Sequence, residues 1–260
     1  MNSIPSLSFC ITCKNRLHQI RQTLRKNLDD NILHSNHIEF ILVDFAGTDG
    51  LREWVLENFQ AELISGYLKY YYTEELPLWH ASIAKNTAHL CTSGEILVNL
   101  DCDNFTGPWG GMFVLCAFKR HGNRIIFHQF SRKDGEDGSF GRIAISGNYF
   151  RLLGGYDETF EPMGREDSDL IKRFDRYGLK YVLQPNSLYN QAISNTKEES
   201  VRYSGSNKTY WKMEKDNFDR SEQNLSEGRL IANNGIFGIR KNIFDHKGQI
   251  FHPNIENHDK

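Results

Sequence analysis

The feature that most constrains this chain is an alternation through its first hundred residues. Short apolar runs are followed by segments whose apolar residues recur at helical spacing. Leu7-Ser8-Phe9-Cys10-Ile11-Thr12 is the first run. Leu17, Ile20, Leu24 and Leu28 follow it at intervals of three and four, with Asn15 placed to cap the helix. Ile38 to Val43 is the second run and ends at Asp44. The loop Phe45-Ala46-Gly47-Thr48-Asp49-Gly50 then leads into Leu51, Trp54, Val55 and Phe59, which suit a second helix. Tyr67 to Thr73 and the helical set Ile83, Ala84, Thr87, Ala88 and Cys91 repeat the pattern, and Ile96-Leu97-Val98-Asn99-Leu100 runs straight into Asp101. Such alternation argues for an α/β domain with a mostly parallel sheet. Ligands of these sheets sit beyond the carboxyl ends of strands. Three polar clusters fall there: Thr12 to Arg16, Asp44 to Asp49, and Asp101 to Asn104.

The second half is less regular. Strands are expected at Arg124 to Phe130, Arg142 to Ser146 and Lys180 to Gln184, and a short helix at Asn148 to Leu153. Glu166 to Tyr177 reads as a helix with Leu170, Ile171, Phe174 and Tyr177 on one face and Gly178 as its stop. From about Asn190 to Asn234 the chain is polar and rich in Asn, Ser, Lys and Glu. It reads either as a surface tail or as a lid that orders over a bound ligand, with Tyr203, Tyr210 and Trp211 available for docking. Gly235 to Ile239 is the last candidate strand.

At 260 residues the chain can bury one large core. A net charge of -2 gives no pull toward nucleic acid, which is not an expected partner. No run of 18 apolar residues exists, and Met1 to Pro5 lacks a basic region followed by an apolar one. The expected compartment is the cytoplasm, with peripheral association at the inner membrane face compatible. Five cysteines lack the spacing of a disulfide scaffold. Cys10 and Cys13 form a C-x-x-C, but positions three apart on a strand face opposite sides, so neither redox nor metal chemistry is expected of them.

Two acid clusters carry chemistry. Asp101-Cys102-Asp103 ends an apolar strand, where two carboxylates one residue apart can hold a hard divalent cation that keeps positions open for phosphate oxygens. The alternative there is a solvated strand-end turn. Gly164-Arg165-Glu166-Asp167-Ser168-Asp169 places three acids at a helix start, where the dipole favours negative charge. These are either ordinary first-turn acids or include a general base able to take a proton from an attacking hydroxyl.

Four segments in order resemble a known family. Phe9-Cys10-Ile11-Thr12-Cys13-Lys14-Asn15-Arg16 matches a first strand and "TYNR"-like turn. Ile41 to Gly50 resembles a "VDDGSTDG" loop. Ala84-Lys85-Asn86-Thr87, followed by Gly94 to Asn104, resembles "ARN…GEYIxFLDADD". Gly147 to Phe160, leading to Gly164 to Leu170, resembles "GGFDExFxGWGxEDxDL". Over roughly residues 7 to 185 the chain thus resembles a GT-A fold, family-2-type glycosyltransferase, and its second half is similar to the galactosyltransferase/chondroitin-polymerase subgroup. The resemblance implies a single Rossmann-like domain. Residues 1–190 would be catalytic, with the nucleotide-binding half at about 1–105 and the acceptor half at 106–190. Residues 191–260 would be a polar, lid-like C-terminal extension packed on it. It also implies an enzyme that moves a hexosyl or N-acetylhexosaminyl group from a UDP-sugar to a glycan or glycolipid hydroxyl in bacterial polysaccharide synthesis, using Mn²⁺ or Mg²⁺.

The roles it implies are specific. Asp44 would recognise the nucleobase, Thr12 and Arg16 would line the nucleotide pocket, and Lys85 and Asn86 would sit near ribose or diphosphate. Asp101 and Asp103 would hold ribose and metal. Glu166 would contact a sugar, and Asp167 would be the base of an inverting transfer. Trp109 would stack on a sugar or simply pack at a helix start. There are departures. The base loop reads Asp-Phe-Ala-Gly, Pro162-Met163-Gly164 replaces the "GWG" tryptophan, and the third metal ligand is open among Asn190, Gln191, His246, His252 and water. Retaining chemistry on the same fold, a nucleotidyltransferase and a non-catalytic sugar-binding domain are the alternatives. The second would show a glycine-rich early loop, which Cys13-Lys14-Asn15-Arg16 is not.

Overall fold

A computed structural model describes residues 6–130, 138–184 and 191–253. In chain order the elements are β1 (Leu7–Cys13), α1 (Leu17–Asn31), β2 (Ile38–Asp44), α2 (Leu51–Asn58), α3 (Gln60–Ser65), β3 (Leu68–Tyr72), α4 (Ala81–Leu90), β4 (Ile96–Asn99) and β5 (Asn104–Phe105). They continue with α5 (Gly110–His121), β6 (Ile125–His128), β7 (Ile143–Ser146), α6 (Gly147–Leu152), α7 (Glu166–Tyr177), β8 (Lys180–Leu183), β9 (Gln191–Ala192), α8 (Lys197–Val201), α9 (Tyr210–Ser226), β10 (Ile243–Asp245) and β11 (Ile250–Phe251).

Among the described residues nine strands form one sheet in the order β11-β10-β3-β2-β1-β4-β7-β6-β8. Only β7 and β10 run against the other strands, so the sheet is mostly parallel. Successive residues of a strand face opposite sides, and β1 shows the consequence. Phe9, Ile11 and Cys13 enter the core under α1, α2 and α5, whereas Cys10 enters the core under α4, α6 and α7. The C-x-x-C cysteines therefore lie on opposite faces, as the strand reading expects, and both are free.

Several local expectations give way to tertiary context. Asn15 does not cap α1. It adopts a left-handed conformation (φ 55°), and the first N–H of the helix, on Leu17, is taken instead by Asp49 Oδ2 at 2.7 Å. The helix expected from Leu51 to Phe59 breaks at Phe59 (φ -130°) and resumes as α3. Gly235 to Ile239 is not a strand; a 3-10 turn at Asn233–Gly235 occupies its start, and the chain pairs with β3 only later, through β10.

The polar stretch after Asn190 holds α9. Its Met213, Asn217, Ser221 and Leu225 are buried against α7 and the segment before it. The Asn217 amide donates to the carbonyls of Glu161, Met163 and Gly164, and the Ser221 hydroxyl donates to Asp169 at 2.7 Å. Those buried polar side chains made α9 read as surface. Each is satisfied by a backbone or carboxylate partner more than 50 residues away in the chain, so its burial costs little.

Candidate functional site

The carboxyl ends of β1, β2 and β4 open at one end of the sheet, where the start of α7 meets them. Lys85, on α4, lies at the centre of an acidic cluster there. Its ammonium donates to Glu166 Oε1 at 3.0 Å and to both oxygens of Asp167 at 2.8 and 2.9 Å. Asp101 completes the cluster. A β-carbon at Gly141 would lie 2.8 Å from Asp101 Oδ2 and 3.1 Å from Asp167 Oδ2, so the backbone there packs against both carboxylates and leaves no room for a side chain. Asn99 steadies this side by donating to Asp101 Oδ1 and to the Gly141 carbonyl.

One cation against three carboxylates sets the electrostatics. Burial, reinforced by Glu166 and Asp101, pushes the Asp167 carboxyl up to about 7 despite Lys85. Burial also works to raise Glu166, but Lys85 outweighs it and holds that acid below its usual range. Burial disfavours the Lys85 charge too, yet Asp167, Glu166 and Asp101 together keep its pKa well above the ordinary lysine value. The Lys85 ammonium also lies 5.2 Å from the centre of the Tyr156 ring, whose buried hydroxyl has no hydrogen-bond partner among the described residues.

Asp103 accepts from the Asn104 side chain at 2.7 Å. Burial, and then the charge of Asp101, pushes its carboxyl up to about 6. A buried carboxyl raised by the charge of a neighbouring carboxylate suits a hard divalent cation, which would remove that repulsion. Among the described residues no group of three or more His, Cys, Asp or Glu is gathered to hold a metal, so two protein carboxylates are what this site offers. Of the candidate third ligands, His246 and His252 are not brought to it. Asn190 lies outside the described residues. Gln191 is exposed and pairs with Phe105 in the small β5–β9 ribbon. His246 follows β10, four strands across the sheet from β4, or about 19 Å at the usual strand spacing, and His252 lies beyond it after β11.

Beside this cluster, Thr12 is buried near the end of β1. Asp44 is 1% exposed; its oxygens accept from Gly47 N–H at 2.9 Å and the Tyr70 hydroxyl at 2.8 Å, and burial pushes its carboxyl up to about 6. It thus shapes the loop as well as ending the strand. Lys14 braces the same loop by donating to the Phe45 and Leu76 carbonyls. Arg16 lies near the Asp101–Asp103 turn and is held by Glu199 of α8 through a 3.2 Å ion pair and a 2.9 Å bond to its carbonyl, while His18 Nε2 lies 3.1 Å from the same carboxylate. Residues 191–204 therefore form a strap. Ile193 N–H bonds the Asp103 carbonyl at one end, Glu199 meets Arg16 in the middle, and the Tyr203 carbonyl accepts from Trp79 N–H at the other.

Two expected site residues are elsewhere. Asn86 is fully buried and spends its amide on the turn after Gly155, bonding Tyr156 N–H and carbonyl and Glu158 Oε1, so it does not face ribose or phosphate. Trp109 is half exposed (58%) and its N–H bonds the Asp30 carbonyl at the far end of α1. That helix of 15 residues starts at the site and is about 22 Å long, so Trp109 sits at the opposite end of the sheet from the carboxylates. Sequence reasoning missed Gly141, Tyr156, Tyr70 and Glu199. Each acts through a contact between distant segments; Tyr156 stands inside the Gly-Gly motif without a role read for it, and the other three carry no local pattern.

The sequence profile of the family described as "Glycosyl transferase family 2" matches residues 8–196. The chain belongs to that family. No curated protein sequence matches it. Among solved structures, the mannosyltransferase PcManGT from Pyrobaculum calidifontis, in complex with GDP-Man and Mn²⁺, superposes with a TM-score of 0.61 at 15% identity, over 88% of this chain and 73% of that one. The S. aureus TarS 1-349 structure superposes with a TM-score of 0.55 at 12% identity, over 86% of this chain and 73% of that one. The same TarS segment in complex with UDP-GlcNAc gives 0.52 at 12% identity, over 85% and 73%. At these identities the likeness establishes the GT-A fold of this family-2 glycosyltransferase. Among its described residues no helix is long and apolar enough to cross a membrane.

Proposed function

We propose that this family-2 protein is a metal-dependent, inverting glycosyltransferase that moves a hexosyl or N-acetylhexosaminyl group from a UDP-sugar to a hydroxyl of a glycan or glycolipid. The observation that carries the reading is the convergence of Asp101, Glu166 and Asp167 on buried Lys85, with the Gly141 backbone packed against two of these carboxylates. The UDP-GlcNAc bound by TarS and the GDP-Man and Mn²⁺ bound by the mannosyltransferase are of the class expected of this donor site.

Asp167 accepts the proton of the acceptor hydroxyl as its oxygen attacks the anomeric carbon and the bond to the diphosphate oxygen breaks. A carboxyl pushed up to about 7 is half ionised near neutrality and basic enough to take that proton. Attack from the face opposite the leaving group inverts the centre. Lys85 holds Asp167 in place and limits the repulsion among the three acids. Glu166, on the same ammonium, is placed to accept from a sugar hydroxyl. A divalent cation, Mn²⁺ or Mg²⁺, held by Asp101 and Asp103 would neutralise charge on the departing diphosphate. Thr12, Arg16 and Asp44 line or shape the nucleoside end, and the strap of residues 191–204 covers it as a lid. We place the enzyme in the cytoplasm, peripheral to a membrane where its acceptor is lipid-linked.

A thermal-shift screen of nucleotides and nucleotide sugars with and without Mn²⁺ tests this. UDP and a UDP-sugar should stabilise the protein only with metal, and Asp103→Ala should abolish the shift. Equal stabilisation without metal, or undiminished metal-dependent stabilisation of Asp103→Ala, would sink the assignment.

A further inference from the structure

Past Asp167, on the side away from the nucleotide end, lies a hollow of about 290 Å³ lined by His128, Phe130, Phe140, Ile171 and Tyr181, with Ser168 and Lys172 at its rim. Its walls meet at a corner of rings. His128 and Phe130 are stacked with centroids 5.4 Å apart, and Phe140 stands edge-on to both at 5.0 and 4.8 Å. The hollow is continuous with the reacting end of the site in two ways. Ile171 is one turn along α7 from Asp167, on the same side of the helix. Phe140 immediately precedes Gly141, whose backbone lies against the Asp101 and Asp167 carboxylates.

The imidazole, phenol and ammonium groups of this corner are engaged within the protein. His128 Nδ1 bonds the Tyr181 hydroxyl at 2.8 Å and its Nε2 bonds the Phe140 carbonyl at 2.7 Å. The Lys172 ammonium bonds Glu222 at 2.6 Å. What the corner offers a ligand is ring faces and edges and the Ile171 side chain. A sugar seated there would leave several hydroxyls without partners, whereas an apolar group would lose nothing and bury its surface. The volume lies at the small end of ligand sites and admits a ring or a short alkyl chain.

We propose that this corner binds an apolar aglycone, alkyl or aryl, of the acceptor, which presents its hydroxyl to Asp167. The proposal rests on the reading of Asp167 as the base, and it makes the acceptor a glycolipid-like or aryl-bearing molecule rather than a free saccharide.

Saturation-transfer NMR on the full chain tests it with phenyl β-D-glucoside, octyl β-D-glucoside below its micellar concentration, and methyl β-D-glucoside. The parent, Phe140→Ala and Ile171→Ala are compared, with UDP affinity measured in Mn²⁺ on the same samples. Saturation should concentrate on the phenyl and alkyl protons. Methyl glucoside should receive about fivefold less, and each variant should lose about fivefold of the aglycone signal with UDP affinity unchanged. Saturation on the pyranose protons with methyl glucoside matching the others would show a sugar-face subsite and overturn the proposal. So would no transfer from a protein that binds UDP, or aglycone signals unmoved in both variants. The expected aglycone result in a protein that binds no UDP would instead sink the donor assignment and leave the apolar subsite standing.

Discussion

Replacing Lys85 with methionine removes what is, among the described residues, the only cation hydrogen-bonded to Glu166 and Asp167, while keeping most of the side-chain volume. At separations of 2.8 to 3.0 Å each pairing is worth roughly 5–6 kcal/mol gross at an effective dielectric of about 20. Desolvation of the ammonium offsets much of that. Stranding the partners of a buried cation typically costs about 3–5 kcal/mol net, which is the expected loss for Lys85→Met at pH 8 in metal-free buffer. The loss must also depend on pH. Without the ammonium, the buried acids have folded pKa values above those of the unfolded chain. The stability they contribute is then complete below about pH 4 and is lost as pH rises through the folded values. Asp167 already stands at about 7 with Lys85 present and can only rise without it. Urea unfolding at pH 5 and pH 8 measures both quantities, and the deficit should shrink by about half or more at pH 5 as the acids take protons. A variant as stable as the parent at pH 8, or an equal deficit at both pH values, would mean that Lys85 acts through packing and not through charge.

Asp167→Asn should retain metal-dependent UDP binding and lose transfer by about 10²-fold or more, measured as UDP release in the presence of acceptor, since an amide cannot take the proton; transfer near the parent rate would place the base elsewhere. Asp44→Asn should raise stability by about 1–2 kcal/mol at pH 8. Burial raises the Asp44 carboxyl to about 6, so the stability it lends is full below about pH 4 and lost as pH rises through 6, and the advantage of the amide should vanish near pH 4 in thermal melts. Destabilisation by Asp44→Asn at pH 8 would show that the Gly47 and Tyr70 hydrogen bonds outweigh the desolvated charge. Glu199→Gln loosens the strap on Arg16 and His18 and should tighten UDP binding by about threefold in calorimetry, because a half-exposed ion pair of this kind is worth under about 1 kcal/mol; unchanged or weaker binding would mean the strap does not compete with the nucleotide.

The first hundred residues are legible because their signals are local. A strand buried on both faces must be apolar throughout, a helix over it must repeat at three and four, and the polar residues that follow each strand then fall at one edge of the sheet. Four strands, their helices, the positions of Asp44, Asp101 and Asp103, and the α7 acids follow from that reasoning alone. Helix α9 was hidden for the converse reason. Its inward residues include Asn217 and Ser221, and a buried amide or hydroxyl is indistinguishable from a solvated one until its partners are known. Asn86 illustrates the same limit inside a motif, since only the turn after Gly155 reveals where its amide is spent.

Local pattern dictates the class of sheet and which acids end its strands. Tertiary structure decided which of them act together. Gly141 stands forty residues from Asp101 and twenty-six from Asp167, and only the pairing of β7 with β4 brings it between them. Trp109 stands six residues from Asp103 yet lies at the other end of the sheet, because the chain runs back beside α1 before α5 begins. Spacing along a chain sets which face or edge a residue shares with its neighbours. Distance across a cleft is set by how the elements pack, so the electrostatics of Lys85, Glu166, Asp167 and Asp101 belong to the fold and to no single segment of it.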